Sequence, residues 1–378
     1  MFVLNETVKN LPPSGIRKFF DLVISAGPDV ISLGVGEPDF PAPWHIRESV
    51  IFALEKGFTS YSENGGLLEL REEISKKIYK QTKKKYCPKS EILVTNGVSE
   101  GVDLALRSIL NPNDIVLVPD PGYVMYKPLV QLAGGKCEYY DPTNIFDIKV
   151  NKNTKALVLN FPGNPIGNIF TKKELEFLAD LVKKNNLIVI SDEIYSYLSF
   201  VEKHISFIEI ADMFERTLLF DGLSKSHSMT GFRIGWVCGP KELIGALTKI
   251  HQYAALCAPT PSQVGAIEAI RRGENEAKLM KQKFDQRRKF CIKKLEEIGI
   301  PFHFPKGAFY IFVNISGSKM DDVTFCEKLL KEQNLAIVPG SAFGTKGKGY
   351  VRMTYAESTK NLELALERLS KFWKKLNI

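Results

Sequence analysis

Short apolar runs rich in β-branched residues alternate with helical patterns between residues 91 and 240. The runs that predict strands are 92–95, 115–118, 156–160, 187–191, 217–220 and 233–238. One intervening helix begins at Thr171, three residues before Glu174, which is the pattern of a capping box. Because alternating strands and helices need crossover connections, the pattern predicts a largely parallel sheet with helices on both faces.

The pattern changes after residue 275. A charged amphipathic helix is predicted over 275–298, with later strands and helices in irregular order. The strands are predicted at 302–304, 308–314 and 350–354, and the helices at 321–333 and 358–376. This segment lacks the regular alternation that precedes it, so it predicts a second, smaller α+β domain.

The composition is that of a globular protein, with 44% hydrophobic and 25% charged residues in a chain of 378. No apolar run approaches the roughly 20 residues that cross a bilayer, and the first residues lack the pattern of a secretory signal. Six scattered cysteines without a C-x-x-C pair predict neither a metal site nor disulfides, and they favour a reducing cytoplasm. The net charge of +8 is spread over short lysine clusters without interleaved aromatic residues, so nucleic-acid binding is not expected.

One lysine, Lys225, lies in a loop of small and polar residues between the apolar runs 217–220 and 234–237. Such a lysine is held at the mouth of the sheet, where partial burial lowers the pKa of its amine and frees it to form a Schiff base. Arg233 follows eight residues later, close enough to serve the same ligand. Taken alone, a lysine in a turn is more often an ordinary surface residue.

The segment S-K-x-x-x-M-T-G-F-R-I-G-W, which begins at Ser224, resembles the cofactor-lysine segment of class I aminotransferases. These are fold-type-I enzymes that use pyridoxal 5′-phosphate (PLP). Further marks of the family follow in its order along nearly the whole chain, at 36–40, 61–72, 95–100, 121–123, 160–167, 191–195, 307–310 and 350–353.

The resemblance implies an α/β fold, the PLP-dependent transferase fold of type I. Its large domain has a mainly parallel seven-stranded sheet flanked by helices, and a smaller α+β domain accompanies it. The expected division is an N-terminal arm with part of the small domain (1–45), a large PLP-binding domain (46–275) and a small C-terminal domain (276–378). A homodimer with shared active sites is implied as well, because Tyr61 reaches the phosphate bound by the neighbouring subunit in this family.

Ligands of an open parallel sheet bind beyond the carboxyl ends of its strands. Gly97, Asn164, Asp192 and Lys225 each follow a predicted strand, so the strand pattern gathers these residues at one edge. A helix predicted to start near Ser99 would hold the cofactor phosphate at its N-terminus, through groups of Gly97, Val98 and Ser99.

One phosphate contact of the family is missing from this chain. A hydroxyl usually sits three residues before the lysine, and that position is Gly222 here. Ser224 and Arg233 are the nearest candidates to replace it.

The resemblance places Asp192 beside the pyridine nitrogen of PLP, where a carboxylate keeps that nitrogen protonated. Tyr195 and Asn164 hydrogen-bond the phenolic oxygen of the ring, and Tyr123 stacks on its face. Arg352 grips the substrate α-carboxylate as a bidentate fork, with the Gly36 backbone close by and with Tyr123 and Asn164 as further substrate contacts. In isolation these residues would be assigned ordinary structural roles, such as a helix cap, core aromatic residues or a solvated arginine.

Two other patterns near these residues are rejected. The segment from Gly34 is similar to a dinucleotide-binding G-x-G-x-x-G, but Asp39 replaces the third glycine and Pro38 blocks the helix. His227 is interpreted as a polar loop residue, because Lys225 already supplies the base.

The sequence therefore predicts a PLP-dependent aminotransferase that works by a ping-pong cycle, with Lys225, Asp192 and Tyr195 as catalytic residues. It would move an amino group from an L-amino acid to a 2-oxo acid such as 2-oxoglutarate. A PLP-dependent carbon–sulfur β-lyase shares these motifs and stays an alternative. A non-catalytic effector-binding regulator is disfavoured, because only a short arm precedes Gly36. Aspartate, aromatic and alanine-type donors all stay open, although Ser99 stands where some aspartate enzymes carry a lysine.

Overall fold

The computed structural model describes residues 3–16, 27 and 29–376. Its strands are β1 Ile31–Ser32, β2 Ile92–Thr95, β3 Ile115–Pro119, β4 Lys136–Tyr140, β5 Thr154–Asn160, β6 Ile188–Asp192, β7 Thr217–Gly222, β8 Gly235–Cys238, β9 Phe302–His303, β10 Tyr310–Asn314, β11 Leu335–Ala336, β12 Val338–Pro339 and β13 Tyr350–Thr354. Its α-helices are α1 Glu6–Asn10, α2 Trp44–Glu55, α3 Leu68–Thr82, α4 Val98–Ile109, α5 Tyr126–Leu132, α6 Lys172–Lys184, α7 Lys241–Ala254, α8 Thr260–Arg272, α9 Glu274–Ile298, α10 Asp322–Gln333 and α11 Thr359–Lys375.

Seven strands form the central sheet, in the order β2-β8-β7-β6-β5-β3-β4. All run parallel to one another except β8, which is antiparallel to both of its neighbours. The carboxyl ends of six strands and the amino end of β8 therefore lie at one edge. Every strand predicted between residues 91 and 240 is present, with its ends shifted by no more than two residues. Strand β4, at the far edge, was not predicted from the pattern.

Helices cover both faces of this sheet, because successive strand side chains point to opposite sides. Ile92 and Val94 belong to a buried cluster with residues of α3 and α8. Leu93, between them, belongs to a cluster with residues of α4 and α7 on the other face. Leu157 and Val189 alternate with residues of that second cluster, so they lie on the first face, where they extend the covered surface toward α6.

The C-terminal residues form an antiparallel sheet in the order β12-β13-β10-β9, as an α+β unit requires. Strand β1 pairs in parallel with β11, and the amide of Thr354 donates to the carbonyl oxygen of Leu33 at 2.9 Å. A segment from the beginning of the chain therefore lies against the C-terminal strands. Phe325 of α10 packs edge-on against Phe372 and Trp373 of α11 within the same core.

Local backbone chemistry explains where these elements begin and end. Thr171 and Glu174 form the predicted capping box, in which each side chain accepts a hydrogen bond from the other residue's amide. Helix α9 ends before Gly299, whose φ of 81° is left-handed. Strand β10 begins at Tyr310, two residues later than predicted, because Ala308 has a left-handed φ of 58°. Among the described helices, none combines the length and apolar character needed to cross a membrane.

Candidate active site

A cleft of about 300 Å³ opens at the edge of the central sheet where the last residues of β5 and β6 lie. Its lining includes nearly all of the residues predicted for the site from the sequence. These are Gly36, Gly97, Val98, Ser99, Tyr123, Asn164, Asp192, Tyr195, Ser224, Lys225, Arg233 and Arg352. Tyr61 is the exception, because its side chain is 79% exposed and it does not line the cleft.

Lys225 lies three residues beyond the end of β7, in the loop that leads to β8. Its Nζ donates to the carbonyl oxygen of Gly36 at 2.6 Å and lies 6.0 and 5.7 Å from the ring centroids of Tyr195 and Phe309. Burial lowers the pKa of the Lys225 amine to about 8, with the positive charge of Arg352 adding to the effect and Glu37 opposing it. Much of this amine is therefore neutral, and nucleophilic, slightly above neutral pH.

Asp192 is the last residue of β6 and is only 2% exposed. Burial raises the pKa of its carboxyl group to about 6. Hydrogen bonds oppose this increase: the Tyr126 hydroxyl donates to Oδ2 at 2.6 Å and the Ile194 amide donates to Oδ1 at 3.3 Å. These donors fix the orientation of the carboxylate and favour its charged form.

Arg352 lies in the middle of β13 and is 1% exposed, so it does not reach solvent as an isolated strand arginine would. Its terminal nitrogens donate to neutral oxygen atoms, Asn164 Oδ1 at 2.9 Å and the Gly34 carbonyl at 2.6 Å. Its Nε has no hydrogen-bond partner within the described residues. Tyr310 and Phe343 flank the guanidinium, at 4.3 and 4.7 Å from their ring centroids. Among the described residues, this buried cation has no carboxylate partner, and a ligand can supply one.

The N-terminus of helix α4 forms another wall of the cleft. Gly97, its N-cap, has a left-handed φ of 81° and provides no side-chain cap. A Cβ atom at Gly97 would lie 2.8 Å from Nη2 of Arg233, and one at Gly235 would lie 2.7 Å from the amide nitrogen of Val98. The glycines therefore leave the first amides of the helix and a guanidinium exposed to the cleft, an arrangement that binds anions.

Tyr195 and Tyr310 are 115 residues apart in the sequence but contact each other in the wall of the cleft. Their hydroxyl oxygens lie 2.7 Å apart, in a buried hydrogen bond. A Cβ atom at Gly36 would overlap the Tyr310 hydroxyl, so this close approach requires glycine. Tyr123 is the third tyrosine of the lining and packs edge-on against Tyr126.

Several residues of the site were not identified as functional from the sequence. Glu37, Asn160, Thr230 and Tyr310 lie within the family motifs without a role predicted for them, and Tyr126 lies outside those motifs. The interpretation of His227 as a polar loop residue was incomplete, because its side chain is 6% exposed and burial lowers the pKa of its imidazole to about 3. Its Nδ1 lies 2.8 Å from the Ser226 hydroxyl, so it is a neutral buried residue outside the cleft lining.

A comparison with known proteins identifies the family. Residues 28–369 match the family model for aminotransferases of class I and II. The chain is 43% identical to an aspartate aminotransferase of Pyrococcus abyssi, covering 97% of both chains. It is 42% identical to a putative aminotransferase of Bacillus subtilis, covering 98% of both. The crystal structure of the aromatic aminotransferase from Pyrococcus horikoshii has 41% identity and a TM-score of 0.89, covering 95% of this chain and 99% of the other.

The chain belongs to the class I and II aminotransferase family, whose members depend on PLP. It is a PLP-dependent aminotransferase with the fold of that family, and its substrates are amino acids and oxo acids. The geometry of the cleft fits the cofactor, since it combines a helix N-terminus for a phosphate, a buried carboxylate for a protonated ring nitrogen and a lysine with a lowered pKa. The predicted fold, cofactor and class of reaction are confirmed.

Proposed function

We propose that Lys225, Asp192 and Arg352 perform the three central tasks of transamination in this cleft. The observation that carries the proposal is that a buried arginine, which bonds only neutral oxygen atoms within the described part of the chain, lines the same cleft as a lysine with a lowered pKa. One group can orient an amino acid while the other moves its α-proton. When bound, PLP supplies the electron sink that makes removal of this proton feasible.

Lys225 would hold the cofactor through Nζ, and once the amine of the substrate has taken its place there, the free Nζ would act as the base. The lowered pKa supports this role, because a base must be unprotonated at the working pH. The hydrogen bond to the Gly36 carbonyl keeps Nζ at one position in the absence of substrate. Tyr195 and Asn164 are proposed to bond the phenolic oxygen of the cofactor ring.

Asp192 bonds to the pyridine nitrogen of the cofactor. A buried carboxylate stays charged only if a nearby cation or several hydrogen-bond donors offset the cost of burying its charge. The hydroxyl of Tyr126 and the amide of Ile194 supply part of that compensation, and a protonated ring nitrogen would supply the rest. Tyr123 is proposed to pack on the face of the ring.

Arg352 binds the α-carboxylate of the substrate through its guanidinium, with Gly36 and Asn164 as neighbours. The flanking rings of Tyr310 and Phe343 hold the guanidinium plane, which favours bidentate binding. A substrate carboxylate bound here would pair the buried positive charge of Arg352.

The phosphate of the cofactor is assigned to the first amides of α4, with Val98, Ser99, Ser224 and Arg233. A side chain at Gly222 has little room, since a Cβ atom there would lie 3.1 Å from the Ile234 carbonyl oxygen. Gly222 has no hydroxyl to offer the phosphate, so another residue of the loop is proposed to make this contact. The exposed guanidinium of Arg233 is the strongest candidate, because it already contacts the Gly97 loop.

A further contact to the cofactor phosphate is proposed to come from Tyr61 of the other subunit of a dimer. Tyr61 is exposed, and Phe58 and Tyr253 are exposed large hydrophobic residues as well. The loop of Tyr61 is joined to that of Tyr253, because Asn64 Nδ2 donates to the Leu256 carbonyl oxygen at 2.9 Å. Such an exposed apolar surface supports a homodimer with shared active sites.

The same proposal divides the chain into an arm with part of the small domain (1–45), a large PLP-binding domain (46–275) and a small domain (276–378). The pairing of β1 with β11 supports a discontinuous small domain. A cytoplasmic location is proposed from the six free cysteines, which a reducing compartment preserves.

A panel of amino donors tests the proposed reaction and selects the donor. Aspartate, alanine, phenylalanine and tyrosine would each be incubated with 2-oxoglutarate, and glutamate formation measured. We expect glutamate to form with at least one donor and not without PLP. Release of ammonia from a sulfur-containing amino acid in the absence of any oxo acid would indicate the β-lyase instead.

A further inference from the structure

Asp120 is a buried carboxylate that lies behind the cleft without lining it. It follows β3 directly and is 3% exposed. Its Oδ2 accepts hydrogen bonds from the amide and the hydroxyl of Thr345, at 3.1 and 2.6 Å. Its Oδ1 accepts a third from the amide of Lys346, at 3.1 Å. The partners are 225 and 226 residues away in the sequence, so the carboxylate joins two distant parts of the chain.

The loop that carries Thr345 is shaped to receive this carboxylate. Gly344 has a φ of 133°, and a Cβ atom there would overlap the Asp120 carboxylate. Glycine is therefore required for the loop to approach so closely. A second link runs beside the first, because the Gly122 amide donates to the Phe343 carbonyl oxygen at 2.9 Å.

Both sides of this junction lead into the active site. On one side, Tyr123 lies three residues beyond Asp120 and lines the cleft. On the other side, Phe343 lies two residues before Thr345, and its ring is 4.7 Å from the Arg352 guanidinium carbon. The contacts of Asp120 thus connect the tyrosine wall of the cleft with the aromatic support of its arginine.

We propose that Asp120 is a positioning residue that holds the Phe343 loop, and through it Arg352, in the arrangement that binds a carboxylate. This inference rests on the proposed role of Arg352. When the Asp120–Thr345 contact is weakened, a smaller fraction of the protein has the competent arrangement, and apparent affinity falls by that fraction. The effect falls on carboxylate binding and KM, because Lys225 and Asp192 are held by other contacts.

Thr345→Val removes one of the three hydrogen bonds at an exposed residue and keeps the shape of the side chain. We expect it to raise the KM of the amino donor about three- to tenfold, with kcat within about twofold of wild type. The dissociation constants of propionate and maleate, two carboxylates without an amino group, should rise by the same factor. These would be measured on the PLP-loaded enzyme from the change of its visible absorption. Thr345→Ser, which keeps the hydroxyl, should restore both values.

A matched control exists in the same part of the chain. The Thr324 amide and hydroxyl donate to Asp321 at 2.9 and 2.6 Å, an equivalent pair of bonds at the start of α10. Thr324→Val should lower the thermal midpoint without changing KM or the carboxylate affinities. This separates positioning from a general loss of stability.

Asp120→Asn tests the carboxylate itself, since an amide nitrogen cannot accept from the Thr345 or Lys346 donors. We expect at least a tenfold increase in KM and in both carboxylate dissociation constants. The proposal is overturned if Thr345→Val and Asp120→Asn, each carrying PLP, keep wild-type KM and carboxylate affinities. If the wild-type enzyme does not transaminate but Thr345→Val still weakens propionate binding, the proposed function fails and the positioning role stands.

Discussion

Burial shifts two ionisable groups of the site toward their neutral forms. The pKa of Lys225 falls to about 8 and that of Asp192 rises to about 6. Each shift means that the charged form of the group is destabilised in the folded protein. The lysine amine is therefore more often neutral and nucleophilic near neutral pH, and the buried aspartate would be stabilised in its charged form by a cationic partner.

The shift of Asp192 predicts a pH-dependent stability difference in the cofactor-free protein. Its folded-state pKa of about 6 lies above the reference of 3.8, so stability decreases as pH rises between these values. Asp192→Asn cannot ionise and escapes this loss. We expect the variant to be more stable than wild type at pH 7 by roughly 3 kcal/mol and similar at pH 4, as measured by urea unfolding.

The control for this experiment is Asp321→Asn. Thr324 lowers the pKa of that exposed carboxyl group, so its replacement should give no stabilisation at pH 7. Equal stability of Asp192→Asn and wild type at both pH values would contradict the burial argument.

Family motifs in the sequence predict residues that line the cleft, but they do not predict the residues that support this lining. Lys225, Asp192 and Arg352 each lie in a recognisable pattern, and the structure brings them into one cleft. Tyr126 and Asp120 act through contacts that span 66 and 225 residues. A single sequence carries no signal for such pairs, because hydrogen-bond partners are chosen by the tertiary fold.

The turn from β2 into α4 depends on one glycine, Gly97. Gly97 combines a left-handed backbone with a close approach of Arg233, so two requirements meet at one residue. The amides of the helix and the guanidinium can then converge on one anion. A side chain at this position would disturb both.

Gly97→Ala should therefore weaken PLP binding by at least tenfold, measured by titration of the cofactor-free protein. Gly299→Ala is the control for a positive φ, because Gly299 has the same φ of 81° but a ψ of 22° instead of 166°, and nothing lies within 4 Å of its Cβ position. Gly299→Ala should lose about 1 kcal/mol of stability from backbone strain, and Gly97→Ala should lose more, because its backbone conformation is almost exclusive to glycine. Unchanged PLP affinity in Gly97→Ala would contradict the proposal that this turn binds the cofactor phosphate.

The apolar sequence pattern predicts the central strands of the sheet better than its edge strand. The central strands β5 to β7 are fully covered by helices and show as apolar runs. Strand β4, K-C-E-Y-Y, lies at the sheet edge and is partly exposed, so charged residues break its apolar pattern. Its pairing with β3 comes from the tertiary fold and leaves little trace in its composition.

In the proposed homodimer, both subunits contribute residues to each active site. Tyr61→Ala and Lys225→Ala should each be inactive alone, since one lacks a phosphate contact and the other lacks the base. After random exchange of subunits in an equal mixture, half of the dimers are mixed, and one of the two sites in each is intact. Activity should return to about a quarter of wild type. No recovery after proven exchange, or a fully active monomer in sedimentation, would contradict the shared site.

Lys225 is proposed to bind PLP and to move the proton in transamination. The most direct measurement compares wild type, Lys225→Ala and the control Lys281→Ala, a partly buried lysine outside the cleft lining whose pKa is also lowered by burial. After loading with PLP, wild type and Lys281→Ala should show a visible absorption band that shifts on adding an amino donor, and both should form glutamate from 2-oxoglutarate. Lys225→Ala should retain PLP but lose turnover by at least a thousandfold, about 4 kcal/mol in the barrier. Transamination by Lys225→Ala at a rate near that of wild type would contradict the account.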